Sequence, residues 1–418
     1  MTPSTRDHNL LERNKGSQMK KVLYISGSLG LGHAVRDIAI ARELRKEIPD
    51  IDLHWLAAEP AASMIREAGG KIVPEASEYA NNNEIMENIA RGTRVNLMKY
   101  VSRSLKAWRH NAYIITKITD RERFNLVIGD ETYDILAAIL RKRLVLEIPF
   151  IMIYDYIGLD AMTINPVEAI GVYLCNRIWS QDGRIFGRGK NLALFIGEME
   201  DIPDKSFGFL LPNRRRHAWE YYRFVGYVLQ FDPMEYADKK EVRKKLGYGD
   251  EPLVICSIGG TAVGKALLEL CGQAYTIIKE RIPKLHMVLV CGPRLPASSL
   301  NVPQEVEVRQ YVPDLHEHFA ACDLTIVQAG SATTLELTAL RRPFLYFPLE
   351  GHSEQEIAVA GRLQRHRAGI RMSYSRTTPW LLATEIENNI GRQVKYEPVP
   401  VDGARKAAKA IADVLKSV

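Results

Sequence analysis

Residues 22–33 read VLYISGSLGLGH, and this stretch decides how the chain folds. Val22 to Ser26 is a short apolar run of strand-forming residues, and the glycines from Gly27 to Gly32 end it. Apolar residues at helical spacing follow from Ala34 to Ile48, so the pattern predicts a strand, a glycine turn and a helix. This unit is typical of a parallel sheet that helices cover on both faces.

The same unit recurs along the chain and begins a second series near residue 252. Residues 252–264 read PLVICSIGGTAVG, again an apolar strand followed by a glycine turn, and a helix is predicted over Lys265 to Arg281. A chain of 418 residues is also too long for one core. We therefore predict an α/β protein with two doubly wound, Rossmann-like domains. Their glycine turns should line a shared cleft, because ligands of such sheets bind at the carboxyl ends of the strands.

Composition sets the domain boundaries and limits the partners. The predicted segments are a flexible polar tail (1–19), a first domain (20–230) with a helical insertion (84–123), a charged linker (231–251), a second domain (252–400) and a C-terminal helix (401–418). The net charge of +6 is too small to indicate a nucleic-acid partner. The five cysteines contain no CxxC pair, and no long apolar stretch could span a membrane. We therefore expect a cytoplasmic protein.

The insertion 84–123 is basic, with arginines and lysines interleaved among apolar and aromatic residues. One interpretation is a helix face that is solvated by the charged ends of its side chains. The other is contact with an anionic acceptor or with a membrane surface, which would place the protein at the inner face of a membrane. The sequence leaves both interpretations open.

The first glycine turn carries candidate catalytic residues. The helix that follows it begins beside His33, and a histidine at a helix start facing a cleft can act as a general base near neutral pH. Gly30, Gly32 and Arg36 accompany it on the side where an acceptor would bind. A histidine that only caps the turn is the alternative.

Three further turns have the composition of ligand sites in the second domain. The turn with Gly259, Gly260 and Thr261 combines glycines with a hydroxyl group at a helix start, which suits phosphate. Residues 328–336 read QAGSATTLE and open another helix with small and hydroxyl side chains, which suits a diphosphate. Glu354 and Gln355 follow a later strand, where their side chains could bind sugar hydroxyls.

The order of these turns resembles the GT-B nucleotide-sugar glycosyltransferases. The resemblance is greatest to the UDP-glucuronosyltransferase-like group and to the transferase that adds N-acetylglucosamine in lipid II synthesis. That group carries HGGxGTTxE where this chain has QAGSATTLE at 328–336. Here Gln328 replaces the histidine and two glycines have changed, while the central glycine (Gly330), both threonines (Thr333 and Thr334) and the glutamate (Glu336) remain.

The resemblance implies a role for each of these turns. It implies that the donor, a UDP-linked sugar, is a substrate and that no cofactor or metal is needed. It also implies an inverting transfer, with His33 as the catalytic base, Asp130 orienting it, and the helix 401–418 packing back on the first domain. The donor would contact the residues Gly259, Gly260, Thr261, Tyr311, Val312, Gln328, Gly330, Ser331, Ala332, Thr333, Thr334, Glu336, Glu354 and Gln355.

Two other functions stay open at this point. Residues 30–36 read GLGHAVR and also resemble the GxGHxxR run of nucleotide-sugar hydrolases in pseudaminic acid synthesis, in which the histidine would activate water. A non-catalytic protein that binds nucleotide sugars is the other possibility. The long insertion 84–123 suits a separate acceptor and favours transfer over hydrolysis.

Overall fold

The chain folds into two parallel sheets of seven and six strands, each packed between helices. The computed structural model describes residues 19–27, 31–90, 97–187 and 189–418. The predicted α/β architecture of two doubly wound domains is therefore confirmed. Most of the expected tail, 1–19, lies outside the described residues.

The first sheet has the strand order β3-β2-β1-β4-β5-β6-β7. Its strands are β1 (Lys21–Ile25), β2 (Asp52–Leu56), β3 (Lys71–Ile72), β4 (Leu126–Asp130), β5 (Phe150–Tyr154), β6 (Leu192–Ile196) and β7 (Tyr222–Gly226). The helices of this domain are α1 (Gly32–Glu47), α2 (Ala61–Glu67), α3 (Asn82–Ile89), α4 (Leu97–Arg121), α5 (Tyr133–Leu140), α6 (Pro166–Trp179), α7 (Gly183–Phe186) and α8 (Arg214–Tyr221).

The second sheet has the order β10-β9-β8-β11-β12-β13. Its strands are β8 (Leu253–Ser257), β9 (His286–Val290), β10 (Glu307–Arg309), β11 (Leu324–Gln328), β12 (Phe344–Phe347) and β13 (Ile370–Arg371). The helices that follow β7 along the chain are α9 (Lys239–Leu246), α10 (Lys265–Arg281), α11 (Leu315–Ala321), α12 (Ser331–Ala339), α13 (Ala360–Arg365), α14 (Pro379–Asn389) and α15 (Gly403–Lys416), and a π-helical turn (Glu354–Val359) precedes α13.

The strand orders place the glycine turns at the points where the order of the strands in each sheet reverses. In the first sheet, β1 lies between β2 and β4, and in the second sheet β8 lies between β9 and β11. The turns that follow β1 and β8 therefore stand at the switch points, where open α/β sheets bind ligands. The turn that follows β11 opens α12 beside them.

Two segments near the domain boundaries pack on different domains, α15 on the first and α9 on the second. Helix α15 packs on α1 with an alanine-rich buried face, in the same core cluster as β1. The segment 231–251, expected to be a linker, contains α9, whose Val242 is buried in the core of the second domain. Arg243 of α9 forms an ion pair with Asp323 at 2.6 Å. This part of the segment is therefore packed on the second domain.

The insertion is a helix pair that is anchored by apolar residues. Ile114, Ile115 and Ile118 of α4 are fully buried against the first sheet. On the other side of α4, Arg103, Lys106 and Arg109 are exposed. In the described ranges, no helix is both long enough and apolar enough to cross a membrane.

Candidate active site

The amino-terminal ends of α1 and α12 meet across a cleft between the two domains. A Cβ atom added to Gly32 would lie 3.3 Å from the Cβ of Ala332. A cavity of about 270 Å³ opens beside this contact and is lined by both domains. Helix amino termini carry free N–H groups and a partial positive charge, so two of them converge on one space that suits an anion.

Most of the residues predicted from the sequence line this cavity. They are Gly32, His33, Arg36, Gly259, Gly260, Thr261, Gln328, Gly330, Ser331, Ala332, Thr333, Glu354 and Gln355. Asp130 lies beneath His33 and contacts it. The lining does not include Tyr311, Val312, Thr334 or Glu336. Gly30 lies outside the described residues.

His33 is held by a carboxylate at one ring nitrogen. Its Nδ1 lies 3.0 Å from Oδ2 of Asp130 and 2.8 Å from a guanidinium nitrogen of Arg36. Nδ1 cannot donate and accept at once, and we assign its proton to the bond with Asp130, because a carboxylate is a strong acceptor. In this tautomer Nε2 keeps its lone pair, which a general base needs.

Arg36 joins the ends of two neighbouring strands. Its Nε donates to Asp130 at 2.8 Å, and a second nitrogen donates to Asp155 at 2.5 Å. Burial alone would raise the pKa of Asp130, but the charge of Arg36 and the hydrogen bonds from His33 and Arg36 outweigh it and lower that pKa. Asp130 therefore stays ionised and can hold the ring of His33 in place.

Glu131 lies on the other side of His33. Its Oε2 is 3.7 Å from Nε2 of His33, and its backbone φ of 49° lies in the left-handed region. Such strained backbone is common at functional sites. Burial and the nearby charge of Asp155 raise the pKa of Glu131 well above its usual range. Of this buried pair, Glu131 is therefore the carboxyl that takes up a proton more readily, and Asp155 is the one that holds its negative charge.

The second domain contributes a buried cation beside the start of α12. Arg362, from α13, donates to the backbone oxygen of Ser331 at 2.8 Å and to the hydroxyl of Thr334 at 3.1 Å. It lines the cavity and is 8% exposed. Among the described residues, no carboxylate lies within ion-pair distance of it. Its charge therefore adds to the positive end of α12.

Gln328 and Gln355 also have structural partners. The amide nitrogen of Gln328 donates to the backbone oxygen of Val263 at 2.8 Å, which ties the end of β11 to the turn after β8. The amide oxygen of Gln355 accepts from the backbone nitrogen of Leu349 at 2.9 Å. Each side chain thus holds one turn of the cavity wall in position.

Two buried titratable groups beside Gln355 are uncharged. Burial raises the pKa of Glu354 to about 8 and lowers the pKa of His352 to about 4. Both line the cavity. A protonated carboxyl and a neutral imidazole can donate and accept hydrogen bonds without adding charge, which suits sugar hydroxyl groups.

Glu336 and Thr334 are buried and do not line the cavity. Burial raises the pKa of Glu336 to about 8. The hydroxyl of Thr334 donates to the backbone oxygen of Gly330 at 2.8 Å, within the first turn of α12. Tyr311 is 40% exposed and Val312 is buried.

The insertion contacts the second domain at one end of the cleft, and we call this contact of Glu87 with Arg294 and Ala262 the latch. Glu87 of α3 accepts two hydrogen bonds of 2.7 Å from Arg294 of the second domain, and a third of 3.0 Å from the backbone nitrogen of Ala262. Met86 and Ile89 pack on Val263 and Leu349 beside it. The insertion therefore contacts the second domain through an acidic and apolar edge.

Sequence reasoning missed Glu131, Asp155, Arg362 and Glu87. Glu131 directly follows β4 and Asp155 directly follows β5, so their position after buried strands was a usable signal. Arg362 and Glu87 lie on helices with no local motif. Packing within the second domain brings Arg362 to the start of α12, and packing between the domains brings Glu87 to Arg294. Among the described residues, no group of three or more His, Cys, Asp or Glu has the geometry to hold a metal ion.

The known proteins that this chain resembles are glycosyltransferases. Residues 254–415 match the glycosyltransferase family 28 C-terminal domain. A UDP-N-acetylglucosamine–N-acetylmuramyl-(pentapeptide) pyrophosphoryl-undecaprenol N-acetylglucosamine transferase from Carboxydothermus hydrogenoformans is 32% identical over 126 residues, which is 28% of this chain and 34% of the relative. The chain thus spans about a third of that relative's length in the match.

Two further similarities extend over most of the chain. The transferase of the same name from Clostridioides difficile is 23% identical over 384 residues, covering 89% of this chain and 82% of the relative. The solved glycotransferase of kitacinnamycin superposes with a TM-score of 0.58 at 15% identity, covering 96% of each chain. The second domain is therefore similar to the glycosyltransferase family 28 C-terminal domain, and the chain as a whole has the GT-B fold of the solved glycosyltransferase.

Proposed function

We propose that this protein transfers a sugar from a nucleoside-diphosphate sugar to an acceptor hydroxyl, with inversion at the anomeric carbon and without a metal ion. The observation that carries the proposal is the position of His33. It stands at the tip of α1, is held by Asp130, and faces the amino terminus of α12 across the cavity. A base and an anion site thus lie on opposite sides of one space.

The proposed reaction is a single displacement. Nε2 of His33 takes the proton of the acceptor hydroxyl, and the oxygen attacks the anomeric carbon as the bond to the diphosphate breaks. The negative charge that develops on the diphosphate is stabilised by the amino terminus of α12 and by Arg362. Attack opposite the leaving group inverts the anomeric centre. The ionised Asp130 stabilises the imidazolium that forms.

We infer a UDP-linked donor from the relatives, since the names of both transferases specify UDP-N-acetylglucosamine. Their names also specify an undecaprenol-linked acceptor, which supports a lipid-linked acceptor for this chain. A cytoplasmic reaction at the inner face of a membrane follows from the same likeness. The roles of Tyr311 and Val312 at the nucleotide base, and of Glu336 at the ribose, belong to this proposal.

The decisive experiment separates binding from chemistry in the variant His33→Ala. We expect UDP affinity, measured by calorimetry, to stay nearly unchanged, while turnover of UDP-sugars falls by at least about a hundredfold. Addition of a chelator such as EDTA should leave the rate of the unaltered protein unchanged. Full activity of the variant would contradict the role of His33.

The products distinguish the other functions. Release of free sugar at full rate without any acceptor would identify a nucleotide-sugar hydrolase. Tight UDP binding without turnover of any UDP-sugar, with or without acceptors, would identify a binding protein. Thermal-shift screening with several nucleoside diphosphates tests the choice of UDP, because a bound ligand stabilises the folded state.

A further inference from the structure

The half of the cavity that the first domain lines is aromatic and acidic. We call it the acceptor wall and define it by Tyr100, Trp108, Tyr133, Tyr156, Glu131 and Asp155, all of which line the cavity. The proposed donor site and the base His33 do not use its aromatic residues. Its chemistry therefore bears on what the acceptor is.

The aromatic part of this wall is held rigidly. The rings of Tyr133 and Tyr156 are 6.0 Å apart, and each packs on Trp179, at 4.7 Å and 5.4 Å between ring centroids. Trp179 is buried. Tyr100 and Trp108 come from α4 and complete the wall. Fixed aromatic faces of this kind suit a ligand with a flat apolar face.

The polar part of the wall is only weakly paired within the protein. Oη of Tyr133, Oε1 of Glu131 and Oδ1 of Asp155 are buried and form no hydrogen bond of ordinary length and angle among the described residues, although Tyr133 lies beside Tyr156 and Glu131 lies beside Asp155. Buried polar atoms are costly when they are unpaired, so a ligand that pairs with them gains affinity. Hydroxyl groups can do so, because each can donate to a carboxylate and accept from a phenol or a protonated carboxyl.

The charge of the wall disfavours an anion. Arg36 is paired with Asp130 and Asp155, so it offers little charge to a ligand. Burial and the charge of Asp155 already raise the pKa of Glu131, which shows that a second negative charge is disfavoured here. A ligand anion would meet the same repulsion. The basic residues Arg103 and Arg109 of the insertion are exposed and do not line the cavity.

We propose that the part of the acceptor next to the reacting hydroxyl is an uncharged ring that carries several hydroxyl groups, such as a sugar ring, stacked on the acceptor wall, and that anionic rings are rejected. This inference rests on the proposed function, because the reacting hydroxyl is placed at Nε2 of His33. It differs from the expectation that the basic insertion binds an anionic acceptor within the cleft. Phosphate groups further along the acceptor would lie outside the wall.

The test compares two probes that differ in charge at one carbon. Phenyl β-D-glucoside and phenyl β-D-glucuronide share a ring, but the second has a carboxylate in place of a hydroxymethyl group. We expect saturation-transfer NMR and calorimetry to show that the glucoside binds and that the glucuronide binds at least about tenfold more weakly. Each titration is run with and without saturating UDP.

Variants locate the binding. Trp108→Leu should weaken glucoside binding at least about fivefold and leave UDP affinity unchanged, with Trp108→Phe intermediate because it keeps a ring. Asp155→Asn removes the negative charge of the wall and should reduce the preference for the glucoside over the glucuronide. The exposed Arg109→Ala is the matched control and should change neither probe's affinity. An unchanged circular dichroism spectrum and melting temperature show that each variant is folded.

Equal or tighter binding of the glucuronide would overturn the proposal, and so would absence of glucoside binding in a protein that binds UDP. Weaker glucuronide binding in Arg109→Ala would also overturn it, because the basic face would then bind the anion. If UDP itself does not bind, the donor site of the proposed function fails. Glucoside binding that depends on Trp108 would still support the wall in that case.

Discussion

Gly32 and Ala332 form the point of closest approach between the starts of α1 and α12. A Cβ atom on Gly32 would lie 3.3 Å from the Cβ of Ala332, which is tighter than an ordinary van der Waals contact. The absence of a side chain at position 32 therefore lets the two helix termini approach one ligand. Domain closure of this kind sets the geometry of a reaction between two bound groups.

A larger side chain at position 32 should hold the cleft open. We expect Gly32→Val to lower kcat/KM for transfer by up to about a hundredfold, because a displacement of about 1 Å can cost that much. Adding Ala332→Gly should restore part of the rate. Gly361→Val is the control, since a Cβ on Gly361 meets nothing within 4 Å. Steady-state kinetics measures the effect, and an unimpaired Gly32→Val would refute closure at this contact.

Asp130→Asn should separate orientation of the base from nucleotide binding. The neutral amide cannot stabilise the imidazolium of His33, so kcat should fall by about a hundredfold or more while UDP affinity is kept. It also weakens the buried contact with Arg36, and we expect a lower melting temperature. Asp37→Asn, at a neighbouring buried carboxyl whose pKa is raised by burial, should leave kcat less affected. Equal losses in both variants would contradict a specific role for Asp130.

The pair Glu87 and Arg294 should couple the insertion to the second domain. Both side chains are about four-fifths buried and form two hydrogen bonds. A double-mutant cycle with Glu87→Gln and Arg294→Gln should give a coupling energy of about 1 kcal/mol in denaturant unfolding. Each single variant should also weaken UDP binding, because Glu87 holds Ala262 in the turn after β8. Glu84→Gln is the control on the same helix, and additive effects would exclude the latch.

Glu336 should make stability depend on pH. In the folded state its pKa is raised to about 8 by burial, against an ordinary value of 4.5, so the folded state holds an extra proton between these values. The stability that this group contributes is therefore full at low pH and is lost as the pH rises toward 8. The slope is at most about 1.4 kcal/mol per pH unit.

Glu336→Gln keeps the shape of the side chain and removes this ionisation. Urea unfolding at about pH 5, 6.5 and 8 should show a smaller fall in the free energy of unfolding for the variant than for the unaltered protein. Identical slopes would contradict a raised pKa. UDP affinity of Glu336→Ala tests the ribose role separately, with an expected loss of about 1.5–3 kcal/mol.

The sequence predicted the parts of the site that depend on local structure. The glycine turns with Gly32, Gly260 and Gly330 follow apolar strands, and in a parallel sheet such turns share one edge. His33 was visible because it begins a helix directly after such a turn. The boundary of α10, Lys265–Arg281, agrees with its apolar spacing and its flanking glycine.

The remaining features required knowledge of which elements pack together. Arg362 lies more than twenty residues after the turn it stabilises, and Glu87 lies in an insertion whose basic residues suggested the opposite charge preference. Burial also shifted ionisation, since it raises the pKa values of Glu131 and Glu354, which the sequence alone presents as ordinary charged residues.

Strand, turn and helix were thus determined by the sequence alone, because apolar periodicity and glycine act within a few residues of one another. Only the tertiary structure decided that Gly32 faces Ala332, that Glu87 pairs with Arg294 and which residues form the acceptor wall. The first two join residues from different domains, and the wall joins residues from separate helices and strand ends of the first domain. The ionisation of its buried carboxyls depends on desolvation, which no local pattern records.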